Sequence, residues 1–468
     1  MTKYLTLVML LFFSVSTHAT QTFSDPALNG KPTPEGADIA LYVVDTASGK
    51  EIYSERAEQF QQPASLQKII TGLGARLILD KDFRFETTME TTERDVIINF
   101  SGDPTFTRTH LRVLVEKLKL KQTTIDGNLY LNGSAFDTSE RAVGLPWDIM
   151  GVCYSAPSSS ITMNGNCIYG KIEGTTPAPV KGLKASGSPY ISISADDIII
   201  REGLENQNID CDLKLTADNK NHFSLNGCVG SHRLPVNFHL AVQNTTLYLK
   251  EVLQEELDRA GIRLHGKIIR DDTAHGTVIA LHQSEPLMKL IDLMMKRSDN
   301  LIADNLLKTV GRVYYKQPGS YENGAAAIKA VFKEKAGIDL SRAIIMDGSG
   351  LSRNNRVTAK QLMQVVQYIF SNKELGLVDT LPVSGQSGTL RYRSSLINTP
   401  LSGKVTAKTG SIYGVYNLAG KINTKSGKSL YFVQLLSNYH SDSDNRNVAR
   451  KPLRDFERGF YEKLFNEH

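Results

Sequence analysis

The stretch Pro63-Ala64-Ser65-Leu66-Gln67-Lys68 decides how the rest of the chain is read. After Ser65 the apolar residues Leu66, Ile69, Ile70, Leu73 and Leu77 follow the one-face spacing of a helix packed into a core. Ser65 and Lys68 would then share the other face, a hydroxyl beside an amine. The first turn of a helix also offers unpaired backbone N–H groups and the positive end of the dipole, where an oxyanion can be held. Taken alone the pattern is weak. Ser-x-x-Lys arises about once or twice by chance in a chain of this length, and a serine at a helix start is commonly only an N-cap.

A chain of 468 residues is too long for one ordinary core, so two or three domains are expected. Its 41% hydrophobic and 22% charged residues describe a soluble globular protein. Met1-Thr2-Lys3-Tyr4, the apolar residues 5–13 and the small and polar residues 14–19 have the pattern of a secretory signal cleaved after Ala19, which predicts export to the periplasm. The apolar run is too short to span a bilayer. Removing residues 1–19 takes away Lys3 and no acid, which lowers the formal charge from +5 to +4. So mild a charge points to no nucleic-acid partner.

The four cysteines, Cys153, Cys167, Cys211 and Cys228, contain no Cys-x-x-Cys element, and export favours their oxidation. The simplest of the three connectivities pairs Cys153 with Cys167 and Cys211 with Cys228. The histidines are scattered and no His-Glu-x-x-His is present, so no metal site and no cofactor is expected.

Along the chain, residues 39–44 and 51–53 read as strands joined by a turn, and the Ser65 helix follows them. From about residue 84 to about 240 the texture changes to short strand-like runs and turn clusters, with one helix at 111–118. This reads as an inserted β-rich region. Helical periodicity returns at 247–260 and again from Leu287, after what reads as a cap at Ser284-Glu285-Pro286. The polar tripeptide Ser298-Asp299-Asn300 interrupts two apolar helical stripes, which would hold it on a short rigid connection. Helices are predicted at 325–335 and 359–371, and strands at 404–407, 415–422 and 429–436. Lys408-Thr409-Gly410 would stand at the end of the first of these strands. Phe456, Phe460, Tyr461, Leu464 and Phe465 form an aromatic stripe at helical spacing. It predicts a core-packed terminal helix, with weak association to a membrane surface as the alternative.

What gives Ser65 and Lys68 their standing is the ordered set. Ser-x-x-Lys at a helix start, Ser-Asp-Asn between helices and Lys-Thr-Gly on a strand, in an exported chain, are the marks of the active-site serine penicillin-recognising enzymes. With these motifs the chain resembles the D-alanyl-D-alanine carboxypeptidase/endopeptidase family of penicillin-binding proteins, of low-molecular-mass class C and the penicillin-binding protein 4 type. The 230 residues from Lys68 to Ser298 match its large insertion. Further stretches fit: Ser101-Gly102-Asp103-Pro104, Pro146-Trp147-Asp148, Tyr154-Ser155-Ala156-Pro157, Asp347-Gly348-Ser349-Gly350-Leu351-Ser352-Arg353 and Ser387-Gly388-Thr389-Leu390-Arg391.

The resemblance implies an α+β protein: a penicillin-binding domain of an antiparallel sheet flanked by helices at 20–84 and 275–468, an inserted domain at 85–165 and 236–274, and a nested one at 166–235. It implies cleavage of peptidoglycan stem peptides at D-Ala-D-Ala or at the D-Ala–diaminopimelate cross-link, and inhibition by β-lactams. Ser65 would be the nucleophile and Lys68 its base, kept neutral by burial and by the nearby cation Lys408. Ser298 would relay the proton to the leaving amine, and Asn300 would position substrate and Lys68. Lys408, Thr409 and Gly410 would hold the terminal carboxylate, and the N–H groups of Ser65 and Ser411 would form the oxyanion hole. Arg353 matches a family position associated with the far end of the stem. Asp148 is the nearest acid to the other such position, but stands one place early, with Ile149 where the carboxylate is expected; the plainer reading of both residues is a surface salt bridge.

The three motifs also occur in serine β-lactamases, against which the insertion and the additional stretches count. A non-catalytic cell-wall scaffold is the third reading, and intact motifs argue against it as a sole role. The oligomeric state stays open, a dimer included.

Overall fold

The computed structural model describes residues 33–173, 184–201, 213–443 and 445–468. The expected leader at 1–19 and Cys211, with its proposed pairing to Cys228, lie outside the described residues.

Five strands form the central antiparallel sheet: β1 (Asp38–Asp45), β2 (Glu51–Glu55), β3 (Val405–Ile412), β4 (Val415–Asn423) and β5 (Ser429–Ser437), in the order β3-β4-β5-β1-β2. The two-residue period of the strands separates two cores. Ile39, Leu41 and Val43 of β1, with Leu430, Phe432 and Leu436 of β5, face the terminal helix Lys451–Glu467. Ala40 and Val44, with Val433 and Leu435, face the helices on the other side. Those helices are α1 (Gln67–Ile78), α2 (Leu287–Arg297), α3 (Asn300–Tyr315), α4 (Tyr321–Val331) and α5 (Ala359–Ser371). The aromatic stripe of the terminal helix is spent on the sheet, with Phe456 and Phe460 each 2% exposed and Tyr461 0%. This corrects the membrane-surface alternative, because no apolar face remains on that helix to lie on lipid. Among the described residues no helix is long and apolar enough to cross a membrane.

Helix α1 departs from the one-sided stripe that its sequence suggests. Every residue from Gln67 to Ala75 is buried, because α1 is the central helix, enclosed by α2, α3, α4 and α5. Glycines allow the close approach: a Cβ on Gly72 would stand 2.6 Å from the Met295 methyl, and one on Gly74 2.6 Å from Ile328. Lys68 is therefore not on a solvent face but at 0% exposure.

The chain between α1 and α2 leaves and returns at one point, where Phe85 and Ser284 exchange hydrogen bonds of 2.9 Å. It builds a second five-stranded sheet in the order Ile268–Arg270, Leu129–Asn132, Val96–Phe100, Glu86–Thr91, Thr277–Gln283. Helices Arg108–Lys119 and Thr245–Ala260 supply the core of that sheet. Two three-stranded sheets follow, one joining Val236–Ala241, Cys167–Glu173 and Lys184–Gly187, the other Leu213–Ala217, His222–Gly230 and Ser192–Arg201. Cys153 and Cys167 are bonded, with Cα atoms 5.3 Å apart. Helix α3 ties this region down: Asn305 donates to the Gly102 carbonyl at 2.8 Å, and the buried Lys308 donates to the carbonyls of Ser139 and Ser158 at 2.6 and 3.0 Å.

Local differences from the sequence reading are small and have physical reasons. Ser284 does not cap α2; its hydroxyl accepts from Phe85 and donates to the Glu285 carbonyl, and Pro286 takes the cap position. Helix α4 begins at Tyr321, earlier than its run of alanines suggests, because Ser320 and Asn323 form a capping box. Strand β3 runs on through Lys408-Thr409-Gly410 to Ile412, paired along its length with β4, so the tripeptide lies within the strand and not at its end.

Candidate active site

Ser65 sits in a single 3₁₀ turn, Ala64–Leu66, that leads into α1. The cap positions of the turn and of α1 are Pro63 and Leu66, so Ser65 caps neither, which sets aside the helix-cap reading. Ala64 is held at a φ of 46°, a left-handed conformation unfavourable for a residue with a Cβ. The surroundings hold this turn in place: Asn417 of β4 donates to the carbonyls of Gln62 and Pro63 at 2.8 and 3.0 Å. Gly410 lets β3 come close, since a Cβ there would stand 2.6 Å from the Pro63 carbonyl oxygen.

Lys68 Nζ lies 3.0 Å from Ser65 Oγ and donates at 2.7 Å to both Asn300 Oδ1 and the Ser349 carbonyl. Burial pulls this amine down to about 8, against the acids Asp304, Asp347 and Asp299, which act to raise it. The expectation that Lys408 supplies the depressing charge is thereby corrected. Of the two expected causes, burial does the work, and the charge of Lys408 adds nothing to it. The repulsion between the amines falls on Lys408, which burial, then Lys68 and Arg393, push well below the usual lysine range.

Ser298 closes α2 in the left-handed region at φ 57°, and Asp299 caps α3 by accepting from Ile302 N–H at 2.9 Å. The abrupt turn aims Ser298 Oγ at Lys408 Nζ, 2.9 Å away, and places Asn300 against Lys68. Asn300 Nδ2 donates to the Tyr154 carbonyl at 2.7 Å. Thr409 Oγ1 is 2.9 Å from the hydroxyl of Thr389.

Ser65, Ser298, Asn300 and Ser411 line one open cavity of about 1120 Å³, together with Asp148 and Arg353. Lys68 and Lys408 lie beneath its floor at 0% exposure. Arg353 donates to the Tyr413 carbonyl at 2.7 Å and feels Asp148 through space. Asp148 and its neighbour Ile149 both reach the cavity, so the acid standing one place early still faces it.

Sequence reasoning missed several contributors. Ser349, Thr389 and the Tyr154 carbonyl belong to stretches that match the family but carried no assigned role. Asn417 left one signal, an amide among the apolar residues Val415, Tyr416, Leu418 and Ala419. Among the described residues no group of three or more metal-capable side chains is present.

A profile of the D-Ala-D-Ala carboxypeptidase 3 (S13) family matches residues 22–458. The chain belongs to this family. It is 33% identical over 465 residues to the D-alanyl-D-alanine carboxypeptidase DacB of Haemophilus influenzae, covering 97% of this chain and 96% of that one. It is 28% identical to a D-alanyl-D-alanine carboxypeptidase of Actinomadura sp. strain R39, over 89% of this chain and 79% of the relative. The crystal structure of penicillin binding protein 4 from Haemophilus influenzae superposes with a TM-score of 0.87, covering 93% of this chain and 98% of that one at 33% identity. The same protein has been solved in complex with a β-lactam, with a TM-score of 0.84. The α+β architecture of this S13 peptidase is thus that of a penicillin-binding protein.

Proposed function

We propose that this S13 family member is a periplasmic serine DD-peptidase that cleaves D-Ala-D-Ala termini and D-Ala–diaminopimelate cross-links of peptidoglycan through an acyl-enzyme on Ser65. The observation that carries the reading is the 3.0 Å contact between Ser65 Oγ and a fully buried Lys68 amine. An amine whose charge is disfavoured by burial can take the hydroxyl proton as Oγ attacks the penultimate D-Ala carbonyl. The N–H groups of Ser65 and Ser411 receive the oxyanion. Ser298, held by Lys408, relays the proton taken up by Lys68 to the departing amine, which returns Lys68 and Ser298 to their starting states. A substrate carboxylate entering beside Thr409 restores to Lys408 the negative charge that its burial lacks. Water then releases the acyl group. A β-lactam acylates Ser65 in the same way, but its retained leaving group blocks hydrolysis. The leader pattern at 1–19 supports the periplasmic assignment, and the names of the relatives support the carboxypeptidase half of the activity.

Labelled penicillin separates the readings. A stable adduct on Ser65, lost in Ser65→Ala together with D-Ala release from muropeptides, is the expected result. Rapid turnover of the label without an adduct would make the protein a β-lactamase instead. Digestion of purified cross-linked muropeptides then reads the endopeptidase activity directly.

A further inference from the structure

We propose that the outer end of the active-site cavity is a subsite for the stretch of stem peptide that precedes the diamino acid. It lies between the turn joining β3 to β4 and the chain leading from β5 to the terminal helix, and Arg450 there receives the free α-carboxylate of a γ-linked glutamate. The inference rests on the DD-peptidase reading of Ser65 and names a substrate feature which that reading leaves open.

The cavity is larger than the acylation chemistry requires. Its volume is about 1120 Å³, above the roughly 300–1,000 Å³ that encloses a whole drug-sized ligand, whereas the scissile unit is a terminal dipeptide. Ser65, Ser298 and Asn300 line one end. From there the cavity follows Ser411 to Tyr416 around the β3–β4 turn and ends against Tyr439, His440, Arg450 and Leu453. The acylation chemistry uses none of those last four residues.

The direction of a bound stem follows from the two ends of its reacting residue. A stem whose terminal carboxylate lies at Lys408 and Thr409, and whose scissile carbonyl lies at the N–H groups of Ser65 and Ser411, runs along β3 toward Tyr413. An extended chain advances about 3.3 Å per residue, the same step as the strand beside it. The diamino acid, one residue before the acylated D-Ala, then passes Ile412 and Tyr413, and the glutamate before it reaches the turn at Gly414. A γ-linkage runs through the side chain and leaves the α-carboxylate outside the peptide bond, so an anion arrives where the cavity ends.

The wall that meets it is fixed to the sheet. Asn438, at a φ of 59°, donates to the carboxylate of Asp38 in β1 at 2.5 Å. Tyr439 donates its N–H to the Gly414 carbonyl at 3.2 Å and its hydroxyl to the Ala449 carbonyl at 2.5 Å, next to Arg450. Tyr413 and His440 are hydrogen-bonded at 2.9 Å. With His440 Nε2 directed at Asp442, 3.3 Å away, Nδ1 accepts the Tyr413 hydroxyl. The turn and the connection are thereby held together as one rim.

Charge suits that rim to an anion. Asp148 and Arg353, which line the cavity, act on one another, and Arg450 brings positive charge to the far end. Burial, then Glu457, hold the Tyr416 hydroxyl above its ordinary value, and the charges of Arg393 and Arg450 act against them. The guanidinium of Arg450 is therefore within electrostatic reach of a residue on the cavity wall. Asp442, on the connection, is turned to solvent at 100% side-chain exposure and engages His440. A guanidinium can bind a carboxylate through two parallel N–H donors, a fit that a carboxamide does not offer.

Two synthetic pentapeptides ending in D-Ala-D-Ala test the subsite, one with γ-linked D-glutamate and the other with its α-carboxamide, γ-linked D-isoglutamine. Wild-type protein should show a KM about tenfold lower for the carboxylate peptide, with kcat within about twofold, the scale of one charge-assisted hydrogen bond formed on binding. Arg450→Gln should raise KM for the carboxylate peptide about tenfold and leave that of the amide peptide where it was. It should keep the wild-type rate of labelling by penicillin, whose acyl side chain carries no such group, which reports an intact Ser65 site. Equal KM values for the two peptides in wild-type protein would overturn the inference without any variant. A loss in Arg450→Gln that is the same for both peptides would overturn it as well. If penicillin labels Ser65 and neither peptide releases D-Ala, the DD-peptidase reading fails and the subsite with it; D-Ala release indifferent to the carboxylate overturns the subsite alone.

Discussion

Lys68 donates to Ser65, Asn300 and Ser349 from a fully buried position, so its replacement separates chemistry from folding. Lys68→Ala leaves a cavity, but it also removes an amine whose charge has no contact partner, and the two effects oppose one another. The expected result is a thermal midpoint within a few degrees of wild type and a loss of penicillin acylation of about 10²–10⁴-fold. Intact-mass measurement of the adduct over time checks the second part, and near-normal labelling would remove Lys68 from the mechanism. Ser298→Ala differs in kind. It takes the hydroxyl from Lys408 and leaves Lys68 alone, so D-Ala release from a pentapeptide substrate should fall while the acid limb of the pH profile stays where it was. At this scale the sequence was informative: each motif is contiguous, and the three meet around one cavity. What it hid was burial. Nothing in the spacing of Lys68 and Lys408 says that both lie at 0% exposure, and so burial was expected to share the depression of Lys68 with the charge of Lys408, where desolvation alone lowers it.

The elements hold those residues by close backbone approach. Gly350 has a φ of 83°, and a Cβ on it would fall on the Ala64 carbonyl oxygen in the turn that carries Ser65. Gly350→Ala is therefore strained twice over, by conformation and by contact. It should cost about 1–3 kcal/mol in denaturant unfolding and lower the acylation rate, because the displaced atoms belong to the nucleophile turn. Away from the site, Glu256 on helix Thr245–Ala260 is 0% exposed and meets Arg108, Arg112 and Arg259. Burial works to raise its carboxyl, yet bonds from Arg112, Arg108 and Arg259 hold it down at about 2. Its folded value thus lies below the ordinary glutamate value of about 4.3, so its contribution is fully present above that pH and is lost as pH falls toward 2. Glu256→Ala should lower stability at neutral pH by about 1–3 kcal/mol, the arginines being partly solvated, and flatten the acid limb of the stability curve. Helix and strand periodicities were legible over most of these elements. Asp304 and Glu256 were not, because a buried acid on a helix looks in sequence like any surface acid.

At the scale of the molecule, the region between α1 and α2 is joined to the site through α3. Asn300, which receives Lys68 on one side, donates on the other to the carbonyl of Tyr154, a residue 146 positions away. Tyr154 lies in the short turn Cys153–Ser155, and the bond from Cys153 to Cys167 fastens that turn to strand Cys167–Glu173. A backbone carbonyl carries no sequence signature, so this support could not be read before the fold was known, although the cysteines that secure it could. If the inserted region steadies Asn300, cutting the fastening should be felt at Ser65. Replacing Cys153 and Cys167 together by serine opens a loop of sequence separation 14, which should cost about 2–4 kcal/mol and lower the thermal midpoint. The acylation rate at 25 °C, where the variant is still folded, should fall severalfold, well short of the loss in Lys68→Ala, because the amide is loosened and not removed. A lowered midpoint with an unchanged acylation rate would show instead that the bond stabilises the inserted region alone and that α3 fixes Asn300 without it.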